Sequence, residues 1–229
     1  MPWGWAKPPG LSNGEPLYHL SRFLGPNWLT GSQQNDMLEL LRHKVDDDGI
    51  LSQKIRILGV ALAPKLLEAH AASGQTYRNA QSFRWLRDAA DDLVRNKAAL
   101  ITTAHLGEIK NEPHWIGLVF DLSQPTGKIL YGDSFGDPIP ASLLAACLWW
   151  MGEHTQAHLE LDKLPIASQR DGFSCGMLVD NAHQHFVDPA IPLSKAGGNF
   201  AHARLTTFNK IGQWALERVS LPLITSSAH

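Results

Sequence analysis

Apolar residues recur at helical spacing in several stretches of the chain and merge into near-continuous apolar runs in others. Met37, Leu38, Leu40 and Leu41 give an apolar face to the segment that begins near residue 25, which predicts a first helix. Residues 55–61 read as a short strand followed by a helix from Pro64 to residue 70, although the apolar run there fits either state. Phe83, Leu86, Ala89 or Ala90, and Leu93 form the buried stripe of an amphipathic helix over 82–96. The texture then changes: 99–103, 115–121 and 128–131 read as successive strands, the last two joined by a turn at 123–127 that holds Pro125 and Gly127. Pro140 opens a helix over 143–151, and a short strand follows at 158–161. Leu178, Ala182 and Phe186 line one face of a helix over 177–186, and 200–219 is a long final helix.

That order predicts an α+β fold with a central, mainly antiparallel sheet flanked by helices. Neither a repeated βαβ pattern nor a Gly-rich phosphate loop is present, so no nucleotide is expected. Residues 1–24 open with prolines, glycines and tryptophans that show no periodicity, which predicts an irregular N-terminal arm. Residues 25–229 are expected to form a single domain, long enough to bury a continuous core.

Composition narrows the partners. Charged residues make up 18% of the chain and the formal net charge is −2, so no basic excess invites nucleic acid or an anionic membrane surface. The longest apolar runs, such as 143–151, are too short to span a bilayer, and the N-terminus lacks a signal-peptide pattern. Only Cys147 and Cys175 are present, which is no disulfide framework and suits a reducing compartment. An intracellular protein, nuclear or cytoplasmic, is the expectation. Cys147 sits in an apolar helix with no polar neighbour to activate it and reads as core.

Cys175 is different. It follows the polar turn Gln169-Arg170-Asp171-Gly172-Phe173-Ser174 and opens the helix that runs to residue 186, with Ser174 a candidate N-cap. The positive end of a helix favours the thiolate, the nucleophilic form of cysteine. A second group is delivered by the hairpin: if 115–121 pairs antiparallel with 128–131, His114 and Asp133 meet at one edge of the sheet. A carboxylate there would orient the imidazole and stabilise its protonated form, a better placement than Asp121 at the turn or Asp137 beyond it. A Cys–His pair yields a nucleophile near neutral pH, and the Gln169 amide with the Cys175 N–H could hold the oxyanion of a tetrahedral intermediate. The remaining histidines, His154 with His158 and His183 with His185, lack a ligand set, so no metal is expected.

Together these residues resemble the ubiquitin-like-protein-specific proteases, the SUMO-deconjugating enzymes related to the adenovirus protease. The matching pieces are Trp28-Leu29, His114-Trp115, Gly132-Asp133-Ser134 and the block from Gln169 to Gly176. The resemblance implies a papain-like fold and a cysteine isopeptidase or endopeptidase that cleaves after the C-terminal Gly-Gly of a ubiquitin-like modifier, SUMO or ubiquitin among them. It makes Cys175 the nucleophile, His114 the general base and acid, Asp133 its orienting partner and Gln169 the oxyanion donor. Trp28 and Trp115 would roof a narrow tunnel over Gly-Gly, which only a residue without Cβ threads easily. It implies no metal or organic cofactor, and the protein is expected to act as a monomer on the modifier and its conjugates. Two positions depart from the family: Thr30-Gly31-Ser32-Gln33 replaces a polar pair that contacts SUMO, and Ser174 stands where aspartate often precedes the nucleophile. Two other readings of the same residues are acetyl transfer through the same triad and a modifier-binding module that does not cut.

Overall fold

The computed structural model describes residues 17–107, 113–198 and 200–220. In chain order the helices are α1 (Gly31–Asp46), α2 (Leu51–Lys54), α3 (Leu62–Ala71), α4 (Gly74–Asn79), α5 (Arg84–Asn96), α6 (Ala141–Gly152), α7 (Cys175–Val187) and α8 (Ala201–Ser220). The strands are β1 (Ile55–Ile57), β2 (Ala99–His105), β3 (Trp115–Asp121), β4 (Gly127–Gly132) and β5 (Leu159–Lys163), and they lie in one sheet in that order. The three central strands pair antiparallel, as the sequence pattern predicts, but each edge strand runs parallel to its neighbour. Parallel neighbours need a crossover, which α3 to α5 supply between β1 and β2, and α6 between β4 and β5.

Alternation along the strands divides the core between the two faces. Leu100 and Ala104 of β2, Ile116, Leu118 and Phe120 of β3, and Ile129 and Tyr131 of β4 face one way, into the apolar side of α3 to α6. Cys147 and Trp150 belong to that layer, and burial pushes the Cys147 thiol up to about 12, consistent with an inert core residue. Ile101, Val119 and Leu130 face the other way, against α1 and α7. At Gly117 of β3 a Cβ would meet Leu164 at 2.8 Å and His183 of α7 at 3.0 Å, so the glycine lets α7 settle onto the strand.

One expectation is corrected here. The last part of the presumed arm, Leu17–Leu24, is a 3-10 helix, and its Leu20 and Phe23 are buried with Leu29, Met37, Leu178 and Ile211. A short apolar pair on a turn of this kind has no periodicity long enough to read. Residues 1–16 lie outside the described residues. No helix among the described residues is long and apolar enough to cross a membrane.

Candidate functional site

The β3–β4 hairpin brings His114 and Asp133 together. The pairing of Gly117 with Gly132 sets the start of β3 beside the end of β4, and His114 Nε2 lies 3.1 Å from Asp133 Oδ1. Both residues are buried. The Asp133 carboxylate also accepts the Tyr131 hydroxyl at 3.1 Å and the Phe135 N–H at 2.7 Å. Burial works to raise its pKa, but the bonds from His114, Phe135 and Tyr131 hold it below the ordinary carboxylate value.

Cys175 is the first residue of α7 and is 2% exposed, packed against Trp115 and Val179. The thiol lies near enough to His114 for the pair to favour the protonated imidazole. Because Nε2 of the imidazole is turned to Asp133, the other ring nitrogen is the one left for the sulfur. Burial favours the neutral imidazole, yet hydrogen bonds and charge from Asp133 and Cys175 outweigh it and lift His114 to about 9. The protonated imidazole is therefore favoured between the thiol and the carboxylate.

Gln169 is pinned from both ends. Its N–H donates to Ser134 O at 2.7 Å, its Oε1 accepts the Ser134 hydroxyl at 2.8 Å, and its Nε2 donates to Asp171 O at 2.6 Å. Nε2 also lies 3.4 Å from Asp171 Oδ1, a longer contact on the same loop. Ser134, directly after Asp133, thus connects the sheet edge to the loop that leads into Cys175.

The loop before α7 is built differently from the sequence expectation. Ser174 occupies the N-cap position, but its hydroxyl donates to Asp171 Oδ2 at 2.7 Å and no side chain caps the helix. Asp171 Oδ1 accepts the N–H groups of Phe173 and Ser174 at 2.9 and 2.8 Å, a turn closed by an aspartate side chain. With no capping side chain, the positive end of α7 is left to the sulfur and to whatever charge develops beside it.

Arg204 was not visible as a site residue in the sequence. It is 2% exposed and donates from Nη1 to Arg22 O and Gly25 O, and from Nη2 to Asn27 O and Phe173 O, over 2.8 to 3.1 Å. Its guanidinium also lies 5.5 Å from the Phe173 ring. One side chain of α8 therefore fastens the loop before Cys175 to the segment that leads into Trp28. Only burial distinguishes it from an ordinary solvated arginine on an amphipathic helix.

Trp28 and Trp115 line the same cavity of about 330 Å³, together with Leu29, Gly31, Val60 and His105. Trp28 is 40% exposed and Trp115 is buried, its Nε1–H bonded to Leu29 O at 2.7 Å. Thr30 and Gln33 are engaged with each other, since Gln33 Oε1 accepts the Thr30 N–H and hydroxyl at 2.8 and 2.7 Å and so starts α1. Three of the other histidines are engaged elsewhere or enclosed. His154 lies 2.7 Å from both Tyr77 Oη and Asp91 Oδ1, His185 Nδ1 is 2.7 Å from Ile191 O, and His183 is buried with neither ring nitrogen paired.

Solved structures share this architecture. A de-sumoylating protease matches with a TM-score of 0.67 at 14% identity, over 90% of this chain and 88% of its own. The fold is that of the Ulp1-like SUMO proteases. The C-terminal Ulp1 protease domain, solved in complex with Smt3, the yeast ortholog of SUMO, matches with a TM-score of 0.57 at 16% identity, over 90% and 84% of the two chains. The Xanthomonas campestris effector XopD bound to ubiquitin matches with a TM-score of 0.53 at 18% identity, over 81% and 90%. No protein-family model and no curated protein matches the sequence. The Ulp1-like fold is thus evident from shape, while activity has to be argued from the site itself.

Proposed function

We propose that the protein is a cysteine isopeptidase or endopeptidase that cleaves after the C-terminal Gly-Gly of a ubiquitin-like modifier. The observation that carries this reading is the buried chain of contacts from Cys175 through His114 to Asp133, set at the uncapped end of α7. The sulfur, its proton held by His114, attacks the glycyl carbonyl and pushes the π electrons onto oxygen. The Gln169 amide, giving up its long contact with Asp171 Oδ1, and the Cys175 N–H receive that oxyanion. Collapse breaks the C–N bond, and the leaving amine takes the proton from His114. Water then gives a proton back to His114, attacks the thioester and expels the sulfur, releasing the modifier's carboxylate. No metal or organic cofactor enters these steps.

The cavity lined by Trp28 and Trp115 supports a Gly-Gly tail as the substrate segment, since residues without Cβ enter an aromatic-lined passage most easily. SUMO is the leading modifier and ubiquitin the second. The test is incubation with SUMO, ubiquitin and other modifiers bearing a C-terminal electrophile, read by intact mass. A covalent adduct on wild type and none on Cys175→Ala is expected; an unreactive wild type overturns the protease reading and turns attention to acetyl transfer, tested with labelled acetyl-CoA.

A further inference from the structure

Phe135 is an apolar ring left 55% exposed in a loop of polar residues, and it stacks on His114 with centroids 4.7 Å apart and planes at 28°. Its position is fixed by the same carboxylate that orients the imidazole. The Phe135 N–H donates to Asp133 Oδ1 at 2.7 Å and the Gly136 N–H donates to Asp133 O at 3.0 Å, so the ring sits at the corner of a tight turn. One face covers the imidazole. The other is open.

Resting on the protease reading above, we propose that Phe135 is the platform for the leaving group, taking the aliphatic arm of a substrate lysine and favouring isopeptide bonds to lysine over peptide bonds to an α-amine. The acyl side of the scissile bond belongs to the cavity of Trp28 and Trp115. The departing amine must come within hydrogen-bond reach of His114 at the nitrogen that faces Cys175, because that nitrogen supplies its proton. Among the large apolar side chains that are exposed in the described residues, Phe135 is the one stacked on His114, and Trp28 lines the cavity on the acyl side. The ring also offers more than apolar contact. The isopeptide nitrogen is neutral in the substrate, carries a positive charge once it has taken the proton from His114, and leaves as a neutral amine when the C–N bond breaks; an aromatic face attracts the nitrogen in its charged stage. An interaction that strengthens as charge develops accelerates the chemical step rather than simply tightening binding. A lysine arm has the methylenes to lie along the ring; an α-amine carries its backbone directly and does not.

The experiment compares wild type, Phe135→Ala and Phe135→Tyr on three reagents: a modifier with a C-terminal electrophile, the modifier joined to the lysine of a peptide, and the modifier followed by a linear peptide. In Phe135→Ala the loss of kcat/KM on the lysine conjugate should exceed the loss of adduct formation by about tenfold, the scale of a partly desolvated cation–π contact. The linear peptide should show a smaller excess, and Phe135→Tyr should restore the preference. Equal losses on all three reagents would overturn the proposal, because the ring would then act only by holding His114. A wild type that forms adducts and cleaves the linear peptide as readily as the lysine conjugate overturns it too, while leaving the protease reading intact. A wild type that reacts with none of the three overturns both.

Discussion

A Cβ on Gly176 would stand 2.1 Å from Nε2 of Gln34, so the residue after the nucleophile and the first turn of α1 occupy one space. Gln34 is buried and its Nε2 has no hydrogen-bond partner. Gly176→Ala gains helix propensity but must displace that amide. We expect it to destabilise the protein by about 1–3 kcal/mol, the usual cost of overpacking, and to lower turnover by shifting Cys175. Gln34→Ala in the same chain should recover part of both, because the clash is with the end of a flexible side chain. A double-mutant cycle by denaturant melts checks this; strictly additive effects would show that the two residues do not compete.

Asp133→Asn keeps the shape of the site but replaces an acceptor of three donors with an amide. Losses of about 10²–10⁴ in kcat are expected, since the imidazole loses the charge that holds its orientation and proton. The carboxylate is a principal reason that His114 is lifted to about 9, so the variant's alkaline limb should move to lower pH. Tyr131→Phe removes one bond to the same carboxylate and should cost much less, about 1 kcal/mol in stability. Steady-state pH profiles of the two variants separate the effects.

The raised His114 also predicts how stability varies with pH. In the unfolded chain the imidazole titrates near its ordinary 6.5, whereas the fold holds the proton up to about 9. This contribution is complete below pH 6.5 and disappears as pH rises through 9. Thermal melts should therefore decline across that window, and His114→Gln should flatten the decline.

On the acid side the sign reverses at His183. Burial lowers its pKa to about 3, so the fold keeps it neutral while the unfolded chain takes up a proton at 6.5. Stability should fall as pH drops below 6.5 towards 3. His183→Leu removes both unpaired ring nitrogens from the face that meets Gly117, and melts between pH 4 and 6 should then vary less, with 4 and 6 marking roughly the middle of that window.

Arg204→Met should be among the costliest changes outside the site, about 3–5 kcal/mol, because four carbonyls lose a charged donor in a dry setting. Arg204→Lys should rescue little, as an ammonium cannot reproduce the planar fork. Adduct formation at Cys175 should fall in both, in step with loss of protection in the 171–174 loop by hydrogen exchange.

Much of this was legible in the residues. The hairpin count brought His114 to Asp133 because strand period and a marked turn leave little freedom of register. Cys175 at a helix start was readable from the change between polar turn and apolar periodicity. What escaped has specific causes. Leu51–Lys54 and Gly74–Asn79 are too short to show a helical period. The parallel edges of the sheet depend on where crossovers land, which side-chain alternation does not encode. Ser174 has the chemistry of a cap, but Asp171 three residues earlier competes for its hydroxyl and wins. Arg204 and Phe135 each look ordinary in sequence, one as a surface charge and the other as core; the structure exchanges those roles.

The tie made by Arg204 also sets an order of events during synthesis. It follows Phe173 by 31 residues, so a ribosome has already made all four reactive side chains before the arginine that fastens their loop is translated. α8 must clear the exit tunnel and dock before the thiol is held in place. A nascent chain would thus carry a loosely held, slow nucleophile, and reactivity would arrive with the closing helix.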